Sequence, residues 1–265
     1  MKKVFLLAGM LLFISQVMGQ IGGLSGSKLA SYCVNVVKPG TVEFEPSFSY
    51  TRYAGYWDDN GELKAYSALG DTVYNSSGFA MRFTYGLFDK MEVGISVPTI
   101  MDKGYLGVRY ILFEKKKLGV AAIAGMQVPL GNGFFNKNIH TEENTVRAGF
   151  GGVFSYSATE KFSMDANLQY NGFLKKTVSN NTGNYTASMD VGYYIFNHTF
   201  QLIGALYYEN NNVGNRVQDV LTVLPGFTVE TGKSFIIVAS VPFSVYGHNI
   251  SKGVGFSFAL TLTFN

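Results

Sequence analysis

The stretch Val254–Phe264, VGFSFALTLTF, places a large apolar side chain at every second position. Glycine, serine, alanine and threonine occupy the positions between them. Successive side chains of a strand point to opposite faces, so this alternation predicts a β-strand with one apolar face and one small, mostly polar face. The length also matches the ~9–11 residues that a tilted strand needs to cross a bilayer.

The same alternation recurs along the chain from Gly40 onwards. The other predicted strands are Thr41–Tyr50, Phe79–Tyr85, Met91–Val97, Leu106–Leu112, Leu118–Val128, Val146–Tyr156, Phe162–Tyr170, Tyr185–Ile195, Thr199–Glu209, Asp219–Glu230 and Phe235–Val245. The pattern is weaker in Thr199–Glu209 and Asp219–Glu230, because Ile203, Val220 and Leu224 stand where polar residues are expected. The sequence therefore predicts twelve strands.

The connections between these strands alternate in length. Tight connections, such as Leu87–Lys90 and Glu114–Lys117, are followed by mostly longer polar ones, such as Ala54–Asn75 and Gly131–Asn144; Pro98–Lys103 is a short exception. An even number of strands with this alternation is typical of an up-and-down barrel in the bacterial outer membrane, whose short turns face the periplasm. Both termini are then expected in the periplasm.

The alternative all-β fold is a soluble β-sandwich, and three features disfavour it. The predicted strands are mostly longer than the ~5–6 residues usual in globular proteins. Aromatic residues cluster at strand ends, as they do in the interfacial girdles of membrane barrels. Only 15% of the residues are charged, against ~25% in an average soluble domain. We therefore predict an all-β chain that forms a single transmembrane antiparallel up-and-down β-barrel.

The N-terminal region has the features of a secretory signal. Lys2 and Lys3 precede the apolar run Val4–Ile14, which is too short to span ~30 Å of hydrocarbon. We expect residues 1–19 to be a signal peptide, residues 20–39 to be a periplasmic segment or a plug in the lumen, and residues 40–265 to be the barrel. Loss of the two lysines lowers the formal net charge from +3 to +1, so the charge does not indicate a nucleic-acid partner.

Catalytic, metal and cofactor sites find little support in the sequence. Cys33 is the single cysteine, which excludes an intramolecular disulfide, and the three histidines are scattered. His140 with Glu142 and Glu143, or His248 with Ser251, are the candidates for catalysis. Both groups are more simply explained as polar loop residues in contact with water. The tract Asp58-Asp59-Asn60-Gly61 contains carboxylates that could bind calcium, but Asn-Gly is typical of a hairpin tip and explains the tract without a metal. We expect no enzyme activity, no cofactor and no metal.

Several short motifs resemble a known family. They are Ser25–Leu29, Lys38–Phe48, Trp57–Gly61 and the pairs Val128-Pro129 and Val241-Pro242. They are similar to Bacteroidetes outer-membrane barrels grouped with the "MetA-pathway of phenol degradation" transporter-like proteins. The resemblance implies a porin-like barrel for diffusion or uptake of small solutes, hydrophobic ones included. The end of the chain also resembles the terminal strand that the barrel assembly machinery recognises, although Asn265 follows the usual terminal Phe.

In the predicted register, most charged side chains of the strands point into the lumen, while the apolar face contacts outer-membrane lipid. The lumen-facing candidates are Glu43, Glu45, Arg82, Glu92, Arg109, Arg147, Asp165 and Asp190, with Glu209 as a further one. These charges either line a narrow polar path that contains Arg82 and Arg109, or brace a filled interior by ion pairs. The sequence thus favours passive passage or uptake of a small solute; the alternative is a nonconducting structural or adhesion barrel acting through its outer loops.

Overall fold

The computed structural model describes residues 21–26, 28–69, 73–99, 103–130, 146–174, 182–196, 198–213, 216–231 and 234–265. Its strands are β1 (Val42–Trp57), β2 (Leu63–Ala65), β3 (Tyr74–Phe88), β4 (Met91–Pro98), β5 (Lys103–Lys115), β6 (Leu118–Pro129), β7 (Arg147–Ser157), β8 (Phe162–Phe173), β9 (Gly183–Phe196), β10 (Phe200–Val213), β11 (Arg216–Glu230), β12 (Phe235–Ser240), β13 (Phe243–His248) and β14 (Ile250–Phe264). A 3-10 turn covers Tyr66–Leu69. Within the described residues, no helix is long and apolar enough to span a membrane.

These strands form one closed antiparallel sheet. Each strand pairs with its neighbour along the chain, and β14 pairs with β1 from Val42↔Phe264 to Trp57↔Ile250, which closes the barrel. The short β2 pairs only with the end of β1, and β12 and β13 are two parts of one interrupted strand. The wall therefore has twelve strands. The predicted fold class, an antiparallel barrel of about twelve strands, is confirmed.

Several strands run further than the sequence pattern predicts. The predicted loop at 210–218 is wrong, because β10 and β11 stay paired as far as Val213↔Arg216. The predicted loop at 247–251 is also wrong, since Asn249 alone separates β13 from β14. Extended pairing satisfies backbone N–H and C=O groups whatever the side chains are, so polar residues do not end these strands. The predicted loop Gly131–Asn144 lies outside the described residues.

The two rims of the barrel differ. The first, called here the short-turn rim, holds tight turns such as Asp89–Lys90 and Lys116–Lys117, together with the start of β1 and the end of β14. The opposite one, called here the long-loop rim, holds the connection from Asp58 to Val73, which contains β2 and the 3-10 turn. This connection agrees with the predicted alternation, whereas the turns after β10 and β13 on the same rim are short.

The outer face of the wall is apolar and exposed, and the inner face is polar and buried. Phe150 and Leu168 point outward with 66% and 64% of their surface exposed, whereas Gln169 and Asn171, on the inner face of β8, are buried. This is the reverse of a water-soluble protein, and it is what a transmembrane barrel requires.

The ladder is interrupted at Val241-Pro242, between β12 and β13. Beyond that point β13 continues to pair with β11 but meets β14 only at Phe243↔Val254. Proline has no N–H to donate, so a sheet ladder commonly breaks at such a residue. The Pro242 carbonyl still accepts a hydrogen bond from the Gly255 N–H, at 2.8 Å.

Candidate functional site

The lumen contains the segment Ile21–Lys38, called here the inner segment. Ile21, Leu24, Tyr32 and Val34 are buried in one cluster with inward-facing side chains of the wall, which are Ile111, Ala121, Ile123 and Val153. A role of this segment as a plug stays a prediction. The wall and the inner segment share one core.

Asp190 on β9 binds the inner segment through its main chain. Its carboxylate accepts hydrogen bonds from the N–H groups of Leu29 at 2.9 Å, Ala30 at 3.1 Å and Ser31 at 3.1 Å. The side chain has no exposed surface. Three N–H donors converging on one carboxylate solvate its negative charge in place of water.

Glu92 on β4 and Arg109 on β5 form a second attachment. Glu92 accepts hydrogen bonds from the N–H groups of Ser25 and Val37, at 2.9 and 2.8 Å, and pairs with Arg109 at 2.8 Å. Arg109 donates to the carbonyls of Ser25 and Cys33, at 3.1 and 2.7 Å. Both charged side chains are fully buried. Each neutralises the other, and N–H and carbonyl groups of the segment supply further hydrogen bonds, although the Arg109 Nε has no hydrogen-bond partner among the described residues.

Arg82 on β3 makes a third attachment. It donates to the Leu24 carbonyl and pairs with Glu45 at 2.5 Å, with Glu43 further away at 3.8 Å. Thr261 on β14 also donates to Glu45, at 2.5 Å. The arginine thus joins the inner segment to β1, and Glu45 in turn connects to β14, where the barrel closes.

Polar side chains of β8 make a fourth attachment. Asn167 accepts from the Tyr32 N–H at 2.6 Å and donates to the Tyr32 carbonyl at 3.0 Å, so its amide pairs with that residue as a neighbouring strand would. The Ile21 N–H donates to Gln169 at 2.9 Å. Asp165 pairs with Lys28 of the segment at 2.7 Å.

Glycines of the wall make room for the main chain of the inner segment. A Cβ placed on Gly94 would lie 1.7 Å from the Gly23 carbonyl oxygen, and one on Gly86 would lie 2.0 Å from the Lys38 carbonyl oxygen. Neither approach tolerates a side chain, because the atoms in the way are backbone atoms. These positions explain part of the high glycine content of the strands.

All eight lumen-facing candidates lie on the inner face, and seven of them belong to this network. Arg147 is the exception, since its guanidinium lies over the Phe173 ring at 4.0 Å. Arg82 and Arg109 contact the inner segment rather than line an open path. Sequence reasoning missed Asn167 and Gln169, although their place on the polar face of a predicted strand was the available signal. What the eight residues do for function stays a prediction.

A chamber of about 580 Å3 lies between the inner segment and the long-loop rim. Lys28 and Leu29 form part of its floor, and the upper halves of β1, β3, β11 and β14 form much of its wall. Tyr53 lines it and stacks on Tyr74, with ring centroids 4.7 Å apart. The cavity is off-centre because the inner residues of β8 and β9 are packed close together and buried.

His248 and Ser251, two of the candidates for catalysis, have different hydrogen-bond partners. His248 hydrogen-bonds Asp219 at 2.8 Å and Tyr246 at 3.1 Å, whereas Ser251 hydrogen-bonds Tyr66 at 2.7 Å. His140, Glu142 and Glu143 lie outside the described residues. Across the described ranges, no group of three or more His, Cys, Asp or Glu side chains is placed to hold a metal ion.

A family model described as "Putative MetA-pathway of phenol degradation" matches residues 69–260. The chain belongs to this family. Its match runs from the 3-10 turn almost to the end of β14, so it covers nearly the whole wall. The origin in Bacteroidetes that the motifs implied stays a prediction.

Solved structures share the fold of this family member. An outer membrane channel from Pseudomonas putida F1 has a TM-score of 0.69 at 11% identity, over 87% of this chain and 98% of that chain. The transport unit of the autotransporter AIDA-I from Escherichia coli has a TM-score of 0.53 at 11% identity, over 97% of each chain. At this identity the likeness concerns the fold alone. No curated protein matches the sequence.

Proposed function

We propose that this protein is an outer-membrane barrel through which a small solute passes passively, with the short-turn rim and both termini on the periplasmic side. The observation that carries the proposal is the chamber of about 580 Å3 inside a closed wall, above a segment held only by noncovalent contacts. A chamber in the lumen can receive a solute from the long-loop side. The channel from Pseudomonas putida F1 supports this function because it has the same fold.

The inner segment acts as a plug in this proposal. It occupies the lumen between the chamber and the short-turn rim, where Arg109 and Glu92 are fully buried against it. A solute that leaves the chamber towards the periplasm must therefore pass beside the segment or displace it. The polar attachments are hydrogen bonds, mostly to main-chain groups, and the side-chain ion pair Lys28–Asp165, all of which can break and re-form without unfolding the wall.

Liposome swelling tests the proposal directly. The purified wild type and a variant lacking residues 22–37 are reconstituted at equal density and exposed to neutral sugars of increasing size. We expect slow, size-limited swelling with the wild type and at least tenfold faster swelling with the variant. Faster migration on SDS gels before boiling than after checks that the variant has folded. Absence of flux from both folded proteins contradicts transport and favours the structural or adhesion barrel.

The partners of the barrel follow from its two surfaces. Outer-membrane lipid would contact the exposed apolar belt that includes Phe150 and Leu168. The barrel assembly machinery would bind β14 before it pairs with β1, because only a free edge strand can add another strand. We propose no enzymatic reaction and no nucleic-acid partner for this chain.

A further inference from the structure

The wall of the chamber is rich in hydroxyl groups. Ser47, Ser49 and Thr51 follow one another on the inner face of β1, above Glu45. Thr222, Ser244 and Ser257 line the chamber from β11, β13 and β14. All six residues are at least partly accessible. The hydroxyls of Ser47, Ser244 and Ser257 already make one hydrogen bond each within the protein, to the Ala80 carbonyl, the Gly253 N–H and the Ser240 hydroxyl, and each keeps further capacity for a molecule in the chamber. A hydroxyl both donates and accepts hydrogen bonds, and can therefore adapt to either role in a solute.

The charged side chains that line the chamber are already paired within the protein. Lys28 binds Asp165 at 2.7 Å, and Glu45 binds Arg82 at 2.5 Å. Glu209 accepts from Tyr207 at 3.1 Å and from Asn211 at 2.9 Å. Lys103 also interacts within the protein. Lys28 and Glu45 are thus neutralised by opposite charges, whereas Glu209 keeps its negative charge but has its oxygens occupied by neutral donors. Among the described lining residues, no charged group is therefore free of other contacts.

We propose that the chamber selects neutral solutes that carry several hydroxyl groups, of about the size of a monosaccharide; this selectivity rests on the proposed passage function. A charged solute would lose water without gaining an opposite free charge, and burying an unpaired ion is costly. A neutral polyol exchanges its hydrogen bonds to water for hydrogen bonds to the wall. The volume corresponds to about 20 water molecules at ~30 Å3 each, which suits one hexose and some water.

A matched series of sugars tests the charge selectivity. Glucose, glucuronate and glucosamine share the same ring and are nearly the same size. Glucose is neutral, glucuronate is negatively charged and glucosamine is positively charged. We expect glucose to enter wild-type proteoliposomes at least fivefold faster than either charged sugar. Equal rates for the three sugars, or faster entry of a charged sugar, would overturn the proposal while passage itself stands. No entry of any sugar, even through the variant lacking residues 22–37, overturns both.

A charge placed in the chamber should change the selectivity. In Ser49→Arg the new guanidinium lies opposite Gly78, where the absence of a side chain leaves room for it. We expect the ratio of glucuronate to glucosamine entry to rise at least fivefold. Thr222→Arg makes the same change from β11, three strands around the wall, should Ser49→Arg not assemble.

The matched control places the same charge outside the chamber. Ser157 is exposed at the short-turn end of β7 and does not line the cavity. Ser157→Arg should leave the ratio unchanged. An equal shift in Ser157→Arg and Ser49→Arg would show that the rim, and not the chamber, sets the selectivity, and the proposal would fall.

Discussion

Asp190→Asn should loosen the inner segment without disturbing the wall. The substitution keeps the size of the side chain but removes its charge. The N–H groups of Leu29, Ala30 and Ser31 all donate to the same carboxylate oxygen, Oδ2, which in asparagine becomes a neutral amide oxygen and a weaker acceptor. Asp190 lies opposite Ala205 on β10 and Asp165 on β8, so the ladder hydrogen bonds of β9 remain available.

The magnitude follows from the number and kind of bonds lost. A hydrogen bond to a charged group contributes about 1.5–3 kcal/mol, and a neutral one about 1 kcal/mol. Asparagine can retain the three contacts as neutral bonds, each weaker by about 0.5–2 kcal/mol, so the docked state should lose about 2–4 kcal/mol in all. At 1.4 kcal/mol for each factor of ten, the undocked fraction should rise about 30-fold to 1,000-fold.

Hydrogen exchange followed by mass spectrometry measures this change at the segment itself. We expect the amides of Leu29–Ser31 to exchange at least 30-fold faster in Asp190→Asn, and planar-bilayer recordings to show a higher open probability. Ser188→Ala is the matched control, because Ser188 is two residues away on the same strand and contacts the segment through the Ser31 hydroxyl, at 2.9 Å. Its effect should stay below about tenfold, as expected for one neutral hydrogen bond.

Two results would refute this reasoning. Unchanged exchange of Leu29–Ser31 in Asp190→Asn would show that the carboxylate does not hold the segment. Faster exchange without any rise in open probability would show that the segment can leave its site without opening a route, and the plug would then have no part in passage.

Three further predictions concern other parts of the molecule. Gly94→Ala should displace the inner segment and raise the rate of liposome swelling at least fivefold, because the added Cβ would meet the Gly23 carbonyl oxygen. The control Gly152→Ala should leave the rate unchanged, because no atom lies within 4 Å of its added Cβ. At the long-loop rim, the Lys64 ammonium holds the pKa of the Asp58 carboxyl below its ordinary value of 3.8. The stabilisation of that turn is therefore present above pH 3.8 and is lost as pH falls through the lower pKa of the folded state. Lys64→Ala should bring the pKa of Asp58 back towards 3.8 in a carboxyl-carbon NMR titration. The folded barrel should migrate faster on SDS gels before boiling than after, because its closed ladder has no free edge at which detergent can begin to open it, and equal migration would contradict a stable barrel.

The wall was predictable from the sequence because alternation is a property of each strand by itself. Val254–Phe264 needs no information about its neighbours to indicate one lipid-facing side, and the same holds for the other eleven strands of the wall. The ends of the strands were less predictable, since backbone pairing continued into polar residues such as Asn210–Val213. The pairing of Arg109 with carbonyls of the inner segment was not predictable, because it depends on a contact between residues 76 positions apart.

The exceptions to alternation nevertheless pointed towards the inner segment. Ile203 and Leu224 made their strands look weak because they place apolar groups on the inner face. In the structure both lie in one buried cluster with Leu29 and Ala30 of the inner segment. Ile111, Ile123 and Val153 are inward apolar residues of the same kind, and they pack with Ile21, Leu24 and Val34. An apolar side chain that faces a water-filled lumen has nothing to pack against, so a run of such positions indicates that something else fills the barrel at that height. Two sequence features should therefore predict that the N-terminal segment lies inside a barrel of this size. One is a set of inward-facing apolar residues near one end of the barrel, and the other is an apolar segment before the first strand.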